Sequence, residues 1–250
     1  MIHFLTLLSL FFGANPQTYF LIDEIENSSR KVIEDKVKRK EVKAIMRSNK
    51  KAAKPFIREN KRLKKKFRKD WLNTELETAH FDDFYKKQSE NHDQLLDLII
   101  KTRNEVKSHI NENEWALIVA AYNQNRQDNA AKEQVRIGKR GDVWAQIEAS
   151  IDEVVIDKRD NEFIKVELKV MSRQLETVSK NLIKGNVTEN DNRLNYNFSE
   201  EELQRLGEEI KVAREKTFTA LMWFRTHVKN RLDEKQWKTI MKTTRKSMNL

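Results

Sequence analysis

Between Lys50 and Lys69 the chain carries Lys50, Lys51, Lys54, Arg58, Lys61, Arg62, Lys64, Lys65, Lys66, Arg68 and Lys69, eleven cations against one carboxylate, Glu59. This local excess of ten equals the formal net charge of the whole 250-residue chain, +10. Cations at this density repel one another unless something anionic lies beside them, so the chemistry they offer is electrostatic capture. Phe56, Leu63 and Phe67 are interleaved with them and would add apolar contact if any faced a partner. The expected client-binding set is therefore Lys54, Phe56, Arg58, Lys61, Arg62, Lys64, Lys65 and Arg68. A solvated helix face is the competing explanation of the same charge.

Bond-making chemistry has little to draw on. There is no glycine-rich phosphate loop, no Gly-x-Ser-x-Gly elbow and no His-Glu-x-x-His helix. Cysteine is absent, which removes disulfides, a thiolate nucleophile and cysteine-based zinc sites. Glu105 and His109 stand four apart and could share a metal ion, but this spacing is also that of an ordinary helical surface pair. The expectation is a protein that is not an enzyme, with no catalytic residue, metal or cofactor.

A second pattern concerns architecture. Residues 103–118 and 225–240, aligned at a fixed shift of 122, share six identities: Arg, Val, Lys, Glu, Trp and Ile. Average composition gives roughly one by chance. At the centre lie Ile110-Asn111-Glu112-Asn113-Glu114-Trp115 and Leu232-Asp233-Glu234-Lys235-Gln236-Trp237. Asn111 and Asp233 read as helix N-caps, with Glu114 and Gln236 three residues on, as in a capping box. Ile110 with Trp115, and Leu232 with Trp237, have the spacing of a hydrophobic staple. Phe198-Ser199-Glu200-Glu201-Glu202-Leu203 has the same grammar.

The elements that must position these residues are all helical. Five Gly and two Pro are too few for a β-rich fold, and apolar residues recur at steps of three and four. The pattern predicts one helix over about 30–72 kinked at Pro55, a second to Ile110, and a third from Glu112 to about Val135. A joint follows at Gly138–Asp142. The second half repeats the plan: a helix from Trp144 to a cap at Gly185, a polar loop over 186–197, a helix from Ser199 to Leu232, and a terminal helix. The expected fold is all-α, with elongated long-helix hairpins, tight capped bends and two tandem copies of a helical unit at 18–137 and 138–250. Residues 1–17 read as a signal peptide, since the apolar run Phe4–Phe12 is too short to span a bilayer and suits a secretory h-region.

Leu232-Asp233-Glu234-Lys235-Gln236 resembles the Leu-Thr-x-x-Gln signature of the Spy and CpxP family of bacterial periplasmic stress proteins, with Asp233 in the threonine's place. Ile110-Asn111-Glu112-Asn113-Glu114 is a looser copy. The resemblance implies a thin, bent helical cradle, normally a homodimer, whose basic concave face holds partly unfolded proteins in the periplasm without ATP. Related members bind metals or inhibit an envelope stress sensor; no His- or Met-rich metal tract appears here. The partners expected are unfolded or acidic protein clients and an anionic membrane or lipopolysaccharide surface. Nucleic acid is not expected if the chain is exported, and assembly is expected as a monomeric pseudo-dimer or a homodimer. The alternative is a helical structural or adaptor protein of the envelope with one partner.

Overall fold

In a computed structural model of the protein, residues 22–125, 142–186 and 195–248 are described, and they hold eight helices and no strand. These are α1 (Ile22–Val32), α2 (Lys36–Asp70), α3 (Thr78–Lys107), α4 (112–125), α5 (Val143–Val154), α6 (Lys158–Asn186), α7 (Glu200–Lys229) and α8 (Glu234–Met248). The chain is all-α. Helix α2 packs along α3, and α6 along α7, as two long hairpins; α3 also crosses α7, and α8 packs on α5.

Two boundaries differ from the sequence expectation. The helix expected over 30–72 is two, α1 and α2, and that expected from Trp144 is also two, α5 and α6. Apolar periodicity runs through both breaks, so it conceals them. What ends the pattern locally is an aspartate: Asp35 accepts hydrogen bonds from the amides of Val37 (2.7 Å) and Lys38 (3.1 Å), and Asp157 accepts one from Asp160 (2.9 Å). Each satisfies donors that the first helical turn leaves free. Helix α2 continues through Pro55, and α6 continues past Gly185 to Asn186. The expected signal peptide, the glycines of the joint at 138–141 and most of the polar loop at 186–197 lie outside the described residues.

Two apolar cores result, each drawing on both halves of the chain. One gathers Ile25, Val42, Met46, Leu95, Ile99, Val106, Trp115 and Ile118 with Phe198, Leu203 and Leu206 from beyond residue 138. The other gathers Ile147, Ile164, Leu168, Leu221, Val228, Trp237 and Ile240 with Leu63, Phe67, Trp71, Phe81 and Phe84 from the first half. Helices α2, α3 and α7 each serve both cores, so the hairpins interlock through them.

The shift of 122 reaches far beyond the bends. Helices α2 and α6 begin at residues 36 and 158, α3 and α7 at 78 and 200, α4 and α8 at 112 and 234. The loops before α3 and α7 correspond in the same way: Asn73 Oδ1 accepts from Glu75 N and Asn195 Oδ1 from Asn197 N, both at 2.9 Å. Contacts between the halves are exchanged under the shift. Arg103 donates to the carbonyls of Phe198 (3.0 Å) and Asn195 (2.7 Å), and Arg225 donates to those of Leu76 (2.9 Å) and Asn73. His92 and Arg214, themselves 122 apart, touch each other between α3 and α7.

Candidate functional site

The charge on α2 is sorted by helical geometry. At 100° per residue, Val42, Met46, Asn49, Ala53, Leu63 and Phe67, all buried, share one side of the helix. Lys40, Arg47, Lys51, Lys54, Arg58, Lys61, Lys65 and Lys69 are all exposed on the opposite side. Residues 40 to 69 rise about 44 Å along the helix, so these cations form one continuous basic ridge rather than a local knot. Lys40 and Arg47 were not singled out by the density of charge between 50 and 69; the signal for them is the heptad spacing 40, 47, 54, 61.

The structure brings most of the expected contact residues onto one surface, but not the aromatics. Lys54, Arg58, Lys61, Arg62 and Lys65 are exposed, and Lys64 and Arg68 are half-buried. Leu63 and Phe67 face the Trp237 core, and Phe56 is partly buried against the Trp115 core. The ridge thus offers charge and lysine stems, with no ring from α2 on its crest. Arg62 is engaged by Glu59 at 2.6 Å, and Lys66 by Asp70 at 2.9 Å. Hydrogen bonding from Arg62 holds the Glu59 carboxyl below its ordinary range. Burial would raise Asp70, but hydrogen bonds from His80 and Lys66 outweigh it and keep Asp70 low as well. Burial, with the charge of Arg68 adding to it, pushes the Lys64 amine downward.

At its C-terminal end the ridge meets the last helix. The Trp71 indole donates to the carbonyl of Met241 (3.2 Å), the Trp237 indole to that of Leu72 (3.0 Å), and Arg245 to that of Arg68 (2.9 Å). This docking builds an open cleft of about 470 Å³, lined by Lys61, Lys64, Lys65, Arg68, Lys69, Leu72 and Arg245.

The capped bends serve structure. Asn111 Oδ1 accepts from Glu114 N, and Glu114 Oε2 from Asn111 N, both at 2.9 Å. Asp233 and Gln236 make the same reciprocal pair at 2.8 and 3.0 Å. Ser199 and Glu202 make a third. Ile110, Trp115 and Trp237 are buried and Leu232 packs against the Trp237 core, so the staples close onto the two cores. Each tryptophan ring lies under a buried guanidinium, Arg103 at 5.0 Å from Trp115 and Arg225 at 5.1 Å from Trp237. Desolvation lowers both arginines to about 10, which still leaves them charged at neutral pH. The sequence pattern contained these arginines only as identities at the shift of 122; their task of holding the opposite half's loop is visible only in the fold.

Among the described residues the histidines do not assemble a site. His109 faces Glu41 at 3.1 Å rather than joining Glu105 around a metal, and His227 donates to the carbonyl of Trp223 (2.8 Å) while stacked on its ring. Among the described residues no group of three or more potential metal ligands occurs, and no described helix is long and apolar enough to cross a membrane. No protein-family model, curated protein or solved structure matches the chain.

Proposed function

We propose that this protein is a non-enzymatic helical binding protein of the Spy/CpxP-like kind, exported to the periplasm, which holds acidic or partly unfolded protein clients against the basic ridge of α2 without ATP. The observation that carries this reading is the ridge itself, about 44 Å of exposed cations on the side of α2 opposite its buried residues. An extended acidic segment can match that length. Because Phe67 and Leu63 are committed to a core, capture rests on charge more than on apolar contact. The absence of rings on the crest of α2 also favours acidic protein over single-stranded nucleic acid, which binds by base stacking as well as charge.

We further propose that the chain is a tandem duplication folded as a pseudo-dimer. The reciprocal arginine contacts and the self-facing pair His92–Arg214 support this, since an isologous interface requires i to contact j and j to contact i.

Replacing Lys54, Arg58, Lys61 and Lys65 by Glu tests the ridge. Association with an acidic client should slow at least about tenfold at low salt, and the wild-type rate should fall as salt rises. Helicity should be unchanged, since the positions are exposed and the propensities similar. Salt-independent association, together with full protection of an aggregating client by the variant, would reduce the ridge to a solvated face.

A further inference from the structure

The cleft where α8 meets α2 is more specific than the ridge it terminates. Lys61, Lys64, Lys65, Arg68 and Lys69 follow i, i+3, i+4, i+7, i+8 spacing, which stacks them on one strip of helix about 12 Å long. Arg245 enters from the other half of the chain, its guanidinium held in place by the Arg68 carbonyl through one of its five donors. Lys64, Arg68 and Arg245 are half-buried, while Lys61, Lys65 and Lys69 stand exposed around them. Among the described residues none of the lining side chains is a carboxylate. The nearby acids Glu59 and Asp70 are outside the lining, engaged by Arg62, Lys66 and His80.

The sequence repeat does not carry these cations twice. Under the shift of 122, the five positions on α2 correspond to Ile183, Asn186, Val187, Asn190 and Asp191, and Arg245 corresponds to Asn123. Aligned at this shift, the sequence thus carries the cluster once. Six cations line this strip of about 12 Å, while one face of an extended acidic peptide presents roughly two carboxylates over that length. Linked phosphates deliver several charges within this length, and the planar fork of Arg with the point charges of Lys is the usual combination for holding them.

We propose that this cleft binds a short run of linked phosphates, either as a free polyphosphate group or as a multiply phosphorylated lipid headgroup. The proposal rests on the reading of α2 as an anion-binding face and narrows it at one end.

Calorimetric titration of the full chain with tripolyphosphate, orthophosphate and an oligoglutamate peptide tests it. Tripolyphosphate should bind at least about tenfold more tightly than orthophosphate, and Arg245→Ala and Lys64→Gln should each weaken it about tenfold. Because Arg245 also anchors α8, Lys64→Gln and Lys65→Gln carry the test if Arg245→Ala loses its fold. The double variant Lys40→Gln, Arg47→Gln lies about 20 Å or more along the axis from the cleft, beyond the roughly 8 Å screening length, and should change tripolyphosphate binding less than about twofold. The same double variant should weaken oligoglutamate, so loss of peptide binding with intact tripolyphosphate binding separates the two readings. Vesicles of phosphatidylcholine with and without phosphatidylinositol bisphosphate identify the source. Capture of only the phosphorylated vesicles, abolished by Lys64→Gln, assigns a headgroup; tripolyphosphate binding without vesicle capture assigns a free ligand. Failure to bind either, equal affinity for tripolyphosphate and orthophosphate, or wild-type affinity in Lys64→Gln and Lys65→Gln overturns the proposal.

Discussion

Arg103 and Arg225 are 1% and 2% exposed, an unusual place for a guanidinium, and each donates to two backbone carbonyls of the opposite half. Removing such a group takes a charged donor from both carbonyls and empties the space over a tryptophan ring. Arg225→Ala should therefore destabilise by about 3–5 kcal/mol in urea unfolding, and Arg225→Lys should recover little, since a point charge does not reproduce the fork. A variant as stable as wild type would show that the loop at 73–76 is held by other means. The adjoining His92 gives a pH signature. Burial, and secondarily the charge of Arg214, lower its pKa to about 3 from an ordinary 6.5, so the folded state holds it neutral while the unfolded chain protonates near 6.5. Its contribution is fully present above that value and is lost as pH falls, by about 2 kcal/mol between pH 7 and 5. Asp93 lies beside Arg214 and Lys211 in the same region. Urea midpoints at pH 7 and 5 for wild type and His92→Gln measure the difference, and equal slopes would assign the acid sensitivity elsewhere.

At the scale of elements, helix identity and the capped bends were legible because each has a local cause: a three-to-four step of apolar residues, or a cap with its partner three residues on. The breaks at Asp35 and Asp157 were not, because an aspartate within a run whose apolar residues keep helical register looks like a surface residue until its side chain is seen bonding amides. The ridge was half legible. Charge density marked Lys50–Lys69, but assigning Phe56, Leu63 and Phe67 to a binding surface needed knowledge of which side of α2 the cores occupy. The bends also separate two kinds of energy. Asp233→Ala strands first-turn amides and should cost about 1 kcal/mol. Trp237→Ala opens a cavity beneath Arg225 and breaks the indole bond to Leu72 at 3.0 Å, and should cost roughly 3–5 kcal/mol. Thermal or urea unfolding of both variants gives the order; a reversed order would move the weight of the bend from the staple to the cap.

For the whole molecule, the distribution of the cores matters more than the boundary between the halves. The Trp115 core needs Phe198, Leu203 and Leu206 from the second half, and the Trp237 core needs Phe67, Phe81 and Phe84 from the first. A half expressed alone would expose those faces and also lose the partner for its own arginine. The exchange is not perfectly symmetric at the crossing of α3 and α7: Tyr85 stacks on Phe218 at 4.9 Å, while its shifted counterpart Gly207 leaves room for Leu96, whose Cδ2 would collide with an added Cβ. That large-against-small arrangement lets each half distinguish the other from a copy of itself, which favours the intramolecular pairing over a homodimer of like halves. The intact chain should consequently unfold in one cooperative transition, and residues 18–137 and 138–250 made as separate chains should each lack sharp thermal unfolding but regain it on mixing, as a one-to-one complex. Circular dichroism melts of the separate and mixed chains, with the mass of the mixture by light scattering, measure this. Two independent transitions in the intact chain, or a cooperative melt from either half alone, would show that the cores are separable after all and that the arginine exchange is a decoration on two self-sufficient units.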